Sequence, residues 1–273
     1  PVPINPYELL RELGASAPAA PAGGDGATGP TVLFFGKLQF LKGPQDFVDA
    51  AVLLLGSTNA RFHLIGNDSD TGPFGRSMLD YLKCRIPPHH LHRFVFEPAR
   101  PRKALADAIR AASASGGVCV FPSHWESFPM VCLEAMALGA PVIVSDVGGL
   151  SAIVEHERNG LHFPVADAAA LASAIGRMLT DRALRERLSR RGPARVRALC
   201  DPVRVLSDLE GMIAATRSKA LAPALGPAAT SKPAAPSPAV SIFIPFYNLG
   251  RYLPETLASV DAQTFRDFEL ILI

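Results

Sequence analysis

The chain has 273 residues, of which 48% are hydrophobic and 19% charged, so it is long and apolar enough to bury a sizeable core. Its formal net charge of +2 comes from lysines and arginines interleaved with acidic residues, which excludes a long-range field that would favour nucleic acid. No run approaches the roughly 20 apolar residues of a membrane span, and the first residues do not form an export signal. We therefore expect a cytoplasmic protein, with peripheral attachment to the inner face of the membrane left open.

The four cysteines have neither CxxC spacing nor nearby pairs of histidines. This pattern favours reduced structural thiols over a zinc site or a disulfide framework.

The first thirty residues predict a connector. Residues 14–30 are rich in Ala, Gly and Pro and have no apolar period, and they follow a short helical pattern at Pro6 to Leu13. The chain begins with Pro1 and stops in an apolar run, Leu270 to Ile273, that is typical of an unfinished strand. We expect both ends to lie within a longer polypeptide.

Short apolar runs of strand type alternate with helical segments from Thr31 onward. The runs are Val32 to Phe35, Phe62 to Ile65, Phe94 to Phe96, Val118 to Phe121 and Val142 to Val144. This alternation predicts an α/β fold with a Rossmann-like, doubly wound parallel sheet and helices on both faces.

Helices are predicted from the helical spacing of apolar residues and from the prolines and glycines that start and end such segments. Pro44 can take the first helical position after Gly43, and one apolar face then continues until Gly56. Three further helices are predicted near Ala168 to Leu179, Arg182 to Arg191 and Pro202 to Thr216. Their many arginines indicate a solvated basic face.

An Ala- and Pro-rich tract at residues 217–239 predicts an extended linker and a domain boundary after residue 216. Residues 240–273 open with a new strand, Val240 to Ile244. This piece of 34 residues is shorter than the roughly 40 that independent folding usually requires, so we expect it to be disordered or to depend on the main domain.

The segment from Phe121 to Gly149 carries the most informative chemistry. A strand ends at Phe121, a loop carries Glu126, and Ser127 is a candidate N-cap for a helix with Pro129 in its first turn. Free N–H groups and the positive dipole end of such a helix, at the carboxyl edge of a parallel sheet, suit a phosphate or sugar hydroxyls.

Two glutamates fall on this segment. Glu134 lies about five residues inside the predicted helix, roughly 7 to 8 Å beyond Glu126. The pair could grip two hydroxyl groups of one extended ligand. By spacing alone, an ordinary loop acid and an exposed helix acid are the favoured alternative.

Two lysines follow the first strand in the run Gly36-Lys37-Leu38-Gln39-Phe40-Leu41-Lys42-Gly43. Lys37 and Lys42 stand between a strand end and a helix start, where two cations suit a diphosphate. Solvent-exposed lysines are the alternative.

These two segments resemble the donor site of the family 4 retaining glycosyltransferases, two-domain enzymes of the GT-B fold. That family has a G-R-L-x3-K-G segment, then E-x7-E followed by EAMA-x-G-x-PV and a GG turn. The positions that match are Glu126, Glu134, Ala135, Met136, Ala137, Gly139, Pro141, Val142, Gly148 and Gly149.

The resemblance covers residues 31–216 and implies the C-terminal, nucleotide-sugar-binding half of such an enzyme. Residues 1–30 would then connect it to an N-terminal domain. Lys37 and Lys42, at the Gly36 segment, would hold the diphosphate, with Glu126 on the transferred sugar and Glu134 on the ribose. The implied amide donors to sugar or phosphate oxygens are those of Phe128, Met130 and Val131.

The resemblance also implies retention of anomeric configuration without a metal or other cofactor. Three positions depart from the family pattern. Lys37 replaces Arg, which turns a planar bidentate phosphate contact into a point charge; Pro129 replaces Gly and removes one N–H donor; Ala152 replaces Glu.

Residues 240–273 resemble the opening of family 2 glycosyltransferases, which have a GT-A fold. The likeness rests on a strand ending in P-x-Y-N, a helix and QT-x2-DFE. It implies that Tyr247 lies against a nucleotide base. The D-x-D motif that binds a divalent metal in a complete GT-A domain would come later, so an idle aromatic is the favoured alternative for Tyr247.

Together these features predict transfer of a sugar from a nucleoside diphosphate sugar to a glycan or lipid-linked acceptor, in polysaccharide biosynthesis. We expect this chain alone to turn over little, because both halves of a GT-B enzyme close the site. One alternative is a catalytically silent nucleotide-sugar-binding or docking module attached to a family 2 enzyme. A sugar-nucleotide epimerase of the same fold is less favoured.

Overall fold

The computed structural model describes residues 29–201, 203–208, 210–211, 238–244 and 253–272. The chain divides between Ile213 and Ala214 into two compact units, each of which is described by itself.

The first unit has six strands and, up to Leu199, seven α-helices within its described residues. The strands are β1 Thr31–Phe35, β2 Arg61–Ile65, β3 Phe94–Glu97, β4 Val118–Phe121, β5 Val142–Ser145 and β6 Leu161–Phe163. The helices are α1 Pro44–Leu54, α2 Met78–Cys84, α3 Arg102–Ala114, α4 Met130–Ala137, α5 Gly148–Ile153, α6 Ala168–Thr180 and α7 Arg182–Leu199. Short 3-10 helices occur at Phe40–Lys42, Pro73–Gly75 and Pro88–Arg93, and residues 203–208 and 210–211 are also helical.

The six strands form one sheet in the order β3-β2-β1-β4-β5-β6, and every pairing is parallel. Val32 lies between Phe62 of β2 and Val118 of β4, so the strand order reverses at β1 and β4. Ligands of open parallel sheets bind at the carboxyl edge beside such a reversal, where the loops diverge to opposite faces.

Both faces of the sheet are buried. In β1, Val32 and Phe34 pack on the face covered by α1, α2 and α6, whereas Leu33 and Phe35 pack on the face covered by α3, α4 and α5. This burial on two sides explains why the strands are continuous apolar runs rather than alternating patterns. The predicted doubly wound parallel sheet is confirmed.

Helix α1 begins at Pro44, as predicted, with Gly43 as its N-cap. Its buried face includes Phe47, Ala50, Ala51 and Leu54. Full burial of a side chain such as Phe47 stabilises the fold by about 2 kcal/mol.

The helix after β4 does not begin as predicted. Ser127 is not its N-cap: Pro129 occupies that position with φ −80° and ψ 91°, and Met130 is the first helical residue. The residue before a proline is disfavoured in the α region, which excludes Phe128 from the helix. Gly139 follows the helix with φ +71°, as expected of a residue that closes it.

Two other elements differ from the sequence prediction. Helix α7 continues beyond the predicted end at Arg191, through Pro193, to Leu199. Gly192 lets α7 lie close to α4 there, because a Cβ on it would be 2.9 Å from the carbonyl oxygen of Met136. Strand β6 was not predicted, because three residues are too few to show a pattern.

The second unit contains β7 Val240–Ile244, α8 Leu253–Asp261 and β8 Phe268–Leu272. The two strands pair in parallel, with Val240 opposite Phe268. The predicted strands at each end of this segment are therefore present. Among the described residues of the whole chain, no helix is long and apolar enough to cross a membrane.

Candidate functional site

Two loops meet at the carboxyl edge of the sheet, where the strand order reverses. The first, residues 36–43, leaves β1 and leads into α1; the second, residues 122–129, leaves β4 and leads into α4. We call these the β1 loop and the β4 loop. They carry every candidate residue except Met130, Val131 and Glu134, which lie on α4, and Tyr247, which lies outside the described residues.

Two glycines let other backbone segments approach the β4 loop closely. Gly43 has φ +69°, and a Cβ on it would lie 1.9 Å from the carbonyl oxygen of Pro122. A Cβ on Gly149 would lie 2.2 Å from the carbonyl oxygen of Ser127, and the Gly149 amide donates to the carbonyl of Glu126 at 2.9 Å. The start of α1 and the start of α5 therefore hold the loop between them.

Lys42 and Glu126 form an ion pair between the two loops. The Glu126 side chain is 10% exposed and that of Lys42 36% exposed. The Ser123 hydroxyl also donates to the Glu126 carboxylate, at 3.5 Å. The sequence assigned the lysine and the glutamate to different parts of one ligand, and the tertiary structure brings them into direct contact.

The other β1-loop candidates lie near the strand end. Gly36 has φ +147°, and its amide donates to the carbonyl of Ile65 at 3.0 Å. Lys37 is exposed, and among the described residues no ion-pair partner of Lys37 is found. Its ammonium group is therefore free to meet an anion, whereas that of Lys42 must first leave Glu126.

The start of α4 presents unused donors. Within the described residues, no hydrogen bond is made by the amides of Phe128, Met130 and Val131. Aligned N–H groups at a helix N-terminus suit an anion. The side chain of Phe128 is 51% exposed, and that of Trp125, on the other side of Glu126, is 66% exposed.

Glu134 lies one turn further along α4 and is partly buried. Burial raises the pKa of Glu134 above its ordinary value of 4.5, and the positive charge of Arg102 opposes that rise. A desolvated carboxylate of this kind accepts hydrogen bonds from ligand hydroxyl groups more strongly than one in water.

A second pair joins the β4 loop to the start of α1, and the sequence gave no signal for it. Nε2 of His124 lies 2.5 Å from Oδ2 of Asp46 in the first turn of α1. Burial raises the pKa of Asp46, and the hydrogen bond with His124 opposes that rise. These residues are 78 positions apart, so only the adjacency of β1 and β4 brings them together.

The site thus combines two cations, two carboxylates and three unused amides along one edge of the sheet. Such a set can bind an anion and several hydroxyl groups of the same ligand. Within the described residues, no group of three or more His, Cys, Asp or Glu side chains could hold a metal ion. A cavity of about 300 Å³ lies elsewhere, lined by Thr31, Arg61 and His63 among others, and contains no candidate residue.

The chain matches a known sequence family, described as Glycosyl transferases group 1, over residues 22–195, more than half of its length. A D-inositol 3-phosphate glycosyltransferase of Jonesia denitrificans is 38% identical over 170 residues, which cover 59% of this chain and 37% of that protein. An uncharacterized glycosyltransferase of Methanocaldococcus jannaschii is 33% identical over 155 residues, 57% of this chain and 37% of that protein. The matched region thus spans little more than a third of these relatives.

Solved structures have the same fold. Sucrose-phosphate synthase from Thermosynechococcus elongatus superposes with a TM-score of 0.57 and 30% identity, covering 77% of this chain and 49% of the synthase. Anabaena HepE in complex with UDP superposes with a TM-score of 0.56 over 79% of this chain and 54% of HepE, at 23% identity.

Proposed function

The chain belongs to the group 1 glycosyl transferases, and we propose that its six-stranded unit binds a nucleoside diphosphate sugar as the donor for glycosyl transfer. The observation that carries this proposal is the meeting of Lys42 and Glu126 beside three unused amides, at the reversal point of the sheet. A diphosphate needs the cation and the amides, and a sugar needs the carboxylate.

Each candidate residue then has one role. Lys42 and Lys37 neutralise the diphosphate, on which negative charge grows as the bond to the sugar breaks. The α4 amides of Met130 and Val131, with that of Phe128, donate to phosphate or sugar oxygens. The carboxylate of Glu126 accepts from hydroxyls of the transferred sugar. Gly36 gives the β1 loop its turn.

Glu134 is proposed to bind the ribose. It lies on the same helix as the amides but further from the loop, and its desolvated carboxylate is suited to accepting hydrogen bonds from a diol. A structural neighbour supports a ligand of this class, since Anabaena HepE was solved in complex with UDP and glucose and with UDP-glucose.

The fine class of the reaction is also a proposal. The E-x7-E spacing of Glu126 and Glu134 and the resemblance to family 4 support retention of the anomeric configuration. We propose a glycan or lipid-linked acceptor, held by an N-terminal domain of a longer protein, and a place in polysaccharide biosynthesis. The family match favours such an enzyme over a silent binding module.

The second unit is proposed to open a family 2, GT-A domain. Its parallel strand-helix-strand order, β7, α8 and β8, is what the start of such a domain requires. Tyr247 would contact a nucleotide base, and a divalent metal would bind only to residues that follow this segment. Full-length protein should then show two separable donor specificities, and a single one would contradict the proposal.

Calorimetric titration with UDP-glucose, GDP-mannose, ADP-glucose and dTDP-glucose tests donor binding by the chain. One donor should bind, and Lys42→Ala and Glu134→Ala should each weaken it by at least tenfold. Lys103→Ala and Glu255→Ala, which change an exposed lysine and an exposed helix glutamate, are the matched controls and should bind like the wild type. Absence of binding to all four donors would contradict the proposal.

Transfer itself requires the acceptor half. We expect the 273-residue chain to form no measurable product with donor alone or with donor and acceptor. Clear product formation by this chain would show that the six-stranded unit does not need a second domain to close its site.

A further inference from the structure

His124 of the β4 loop contacts Asp46 in the first turn of α1, at a largely buried position. The His124 side chain is 19% exposed and that of Asp46 10% exposed, with 2.5 Å between Nε2 and Oδ2. Asp46 is itself held in the first turn of α1, since its amide donates to the carbonyl of Gly43 at 3.1 Å. The histidine is therefore tied to a rigid helix start.

The turn that carries Lys42 packs around the same imidazole. The backbone amide of His124 donates to the carbonyl of Leu41 at 2.8 Å. The Phe40 ring meets the imidazole edge to face, with 5.4 Å between the ring centres. The side-chain amide of Gln45 donates to the Phe40 carbonyl at 3.1 Å. His124 thus contacts Leu41, which precedes Lys42, and Asp46, which follows it in α1.

The connection matters most when a ligand is bound. Apart from the Lys42–Glu126 pair, every hydrogen bond between residues 36–46 and 122–129 in the described chain involves His124. A diphosphate that binds the ammonium group of Lys42 breaks the ion pair between Lys42 and Glu126. The histidine contacts then remain as the hydrogen-bonded link between the two loops.

We propose that His124 and Asp46 are positioning residues of the donor site, which hold Glu126 against the transferred sugar while Lys42 binds the diphosphate. The inference rests on the proposed function. His124 stands two residues before Glu126 and Asp46 four residues after Lys42, so their contact sets the distance between the two charged groups. A hydrogen-bonded buried pair fixes direction as well as separation, which an apolar contact does not.

The competing explanation is that the contact between His124 and Asp46 only stabilises the fold. A ratio of two dissociation constants distinguishes this explanation from a positioning role. Dissociation constants are measured for UDP-glucose, GDP-mannose, ADP-glucose and dTDP-glucose and for the four free diphosphates, well below the melting temperature. A loss of stability alone leaves the ratio of the two dissociation constants, that of the sugar nucleotide over that of the free diphosphate, unchanged. Displacement of Glu126 raises this ratio, because it weakens binding of the sugar nucleotide only.

His124→Phe keeps an aromatic ring and the backbone bond to Leu41 but removes the contacts of Nε2 with Asp46 and with the side-chain amide of Gln45. We expect this variant to raise the ratio of the dissociation constant of the sugar nucleotide to that of the free diphosphate by about tenfold. Asp46→Ala should do the same. The double variant should raise this ratio no further than either single variant, because both substitutions remove the same interaction between His124 and Asp46. His124→Gln and Asp46→Asn, which keep a donor and an acceptor, should restore the ratio to within about threefold.

Asp49→Ala is the matched control, since Asp49 lies one turn further along α1 and ties it to Arg85 on the other side, with 2.7 Å between Nε and Oδ1. It should lower the melting temperature and leave the ratio unchanged. Wild-type ratios in His124→Phe and Asp46→Ala would overturn the inference while leaving the proposed function intact. Failure of the wild type to bind any of the eight compounds would overturn the proposed function itself.

Discussion

Replacing Glu126 with Gln should make the site bind a free diphosphate more tightly. In the structure the Glu126 carboxylate is paired with the ammonium group of Lys42. An incoming diphosphate must therefore displace the carboxylate to bind Lys42. The carboxylate is 10% exposed and the lysine 36% exposed. A pair with one end in solvent is worth about 1 kcal/mol, less than a fully buried charged hydrogen bond. Removing the competing charge should then strengthen diphosphate binding about fivefold.

Calorimetric titration of UDP and GDP into wild type, Glu126→Gln and Lys42→Ala measures this effect. The gain should disappear in the double variant Glu126→Gln/Lys42→Ala, because there is then no ammonium to release. It should shrink at high salt, since screening weakens an exposed pair most. Glu255→Gln, an exposed glutamate of the second unit, serves as the control for loss of one negative charge. Weaker diphosphate binding by Glu126→Gln would refute competition for Lys42.

Three other changes have expected outcomes. Gly149→Ala places a methyl group 2.2 Å from the Ser127 carbonyl oxygen. It should therefore destabilise the chain by about 2 kcal/mol in thermal unfolding and abolish donor binding. Gly56→Ala, whose methyl group meets no atom within 4 Å, is the control and should change neither stability nor donor binding. Glu134→Gln should raise the melting temperature at neutral pH, because burial disfavours the charged form of Glu134; that gain should vanish below pH 4.5, the ordinary pKa, where the carboxyl is neutral in both folded and unfolded states. Donor affinity should be the same with and without EDTA, because lysine and amide donors supply the positive charge for the diphosphate.

Each of these expectations has an opposing result. Normal donor binding by Gly149→Ala would mean that the β4 loop can shift without loss of function. A melting temperature of Glu134→Gln equal to or below that of wild type at pH 7 would mean that the carboxylate is better stabilised than its burial indicates. Loss of donor binding in EDTA, restored by a divalent cation, would show that a metal takes part.

Much of the fold was predictable because a doubly wound sheet buries both faces of each strand. Runs such as Val32 to Phe35 are then uniformly apolar and are recognisable without knowledge of the contacts. Pro44 and Gly43 marked the start of α1 for a similar local reason. The start of α4 differs from the prediction because Pro129 keeps the residue before it out of the helical region. Helix α7 continues through Pro193, which local helix preference does not predict.

The chemistry of the site was predictable only in part. The sequence indicated which residue types follow β1 and β4, and the resemblance to a family supplied their roles. It gave no indication that Lys42 and Glu126 contact each other, or that His124 reaches Asp46. Neither contact has a sequence signal, because each joins residues about eighty positions apart in different loops.

The sequence by itself determined the class of fold, the order of its strands along the chain and which charged residues follow β1 and β4. These follow from local patterns: apolar runs, helix-start residues and the spacing of charged groups. Only the tertiary structure decided which charges meet. Parallel pairing places β4 beside β1, so loops that are far apart in the chain end at the same edge of the sheet and share one site.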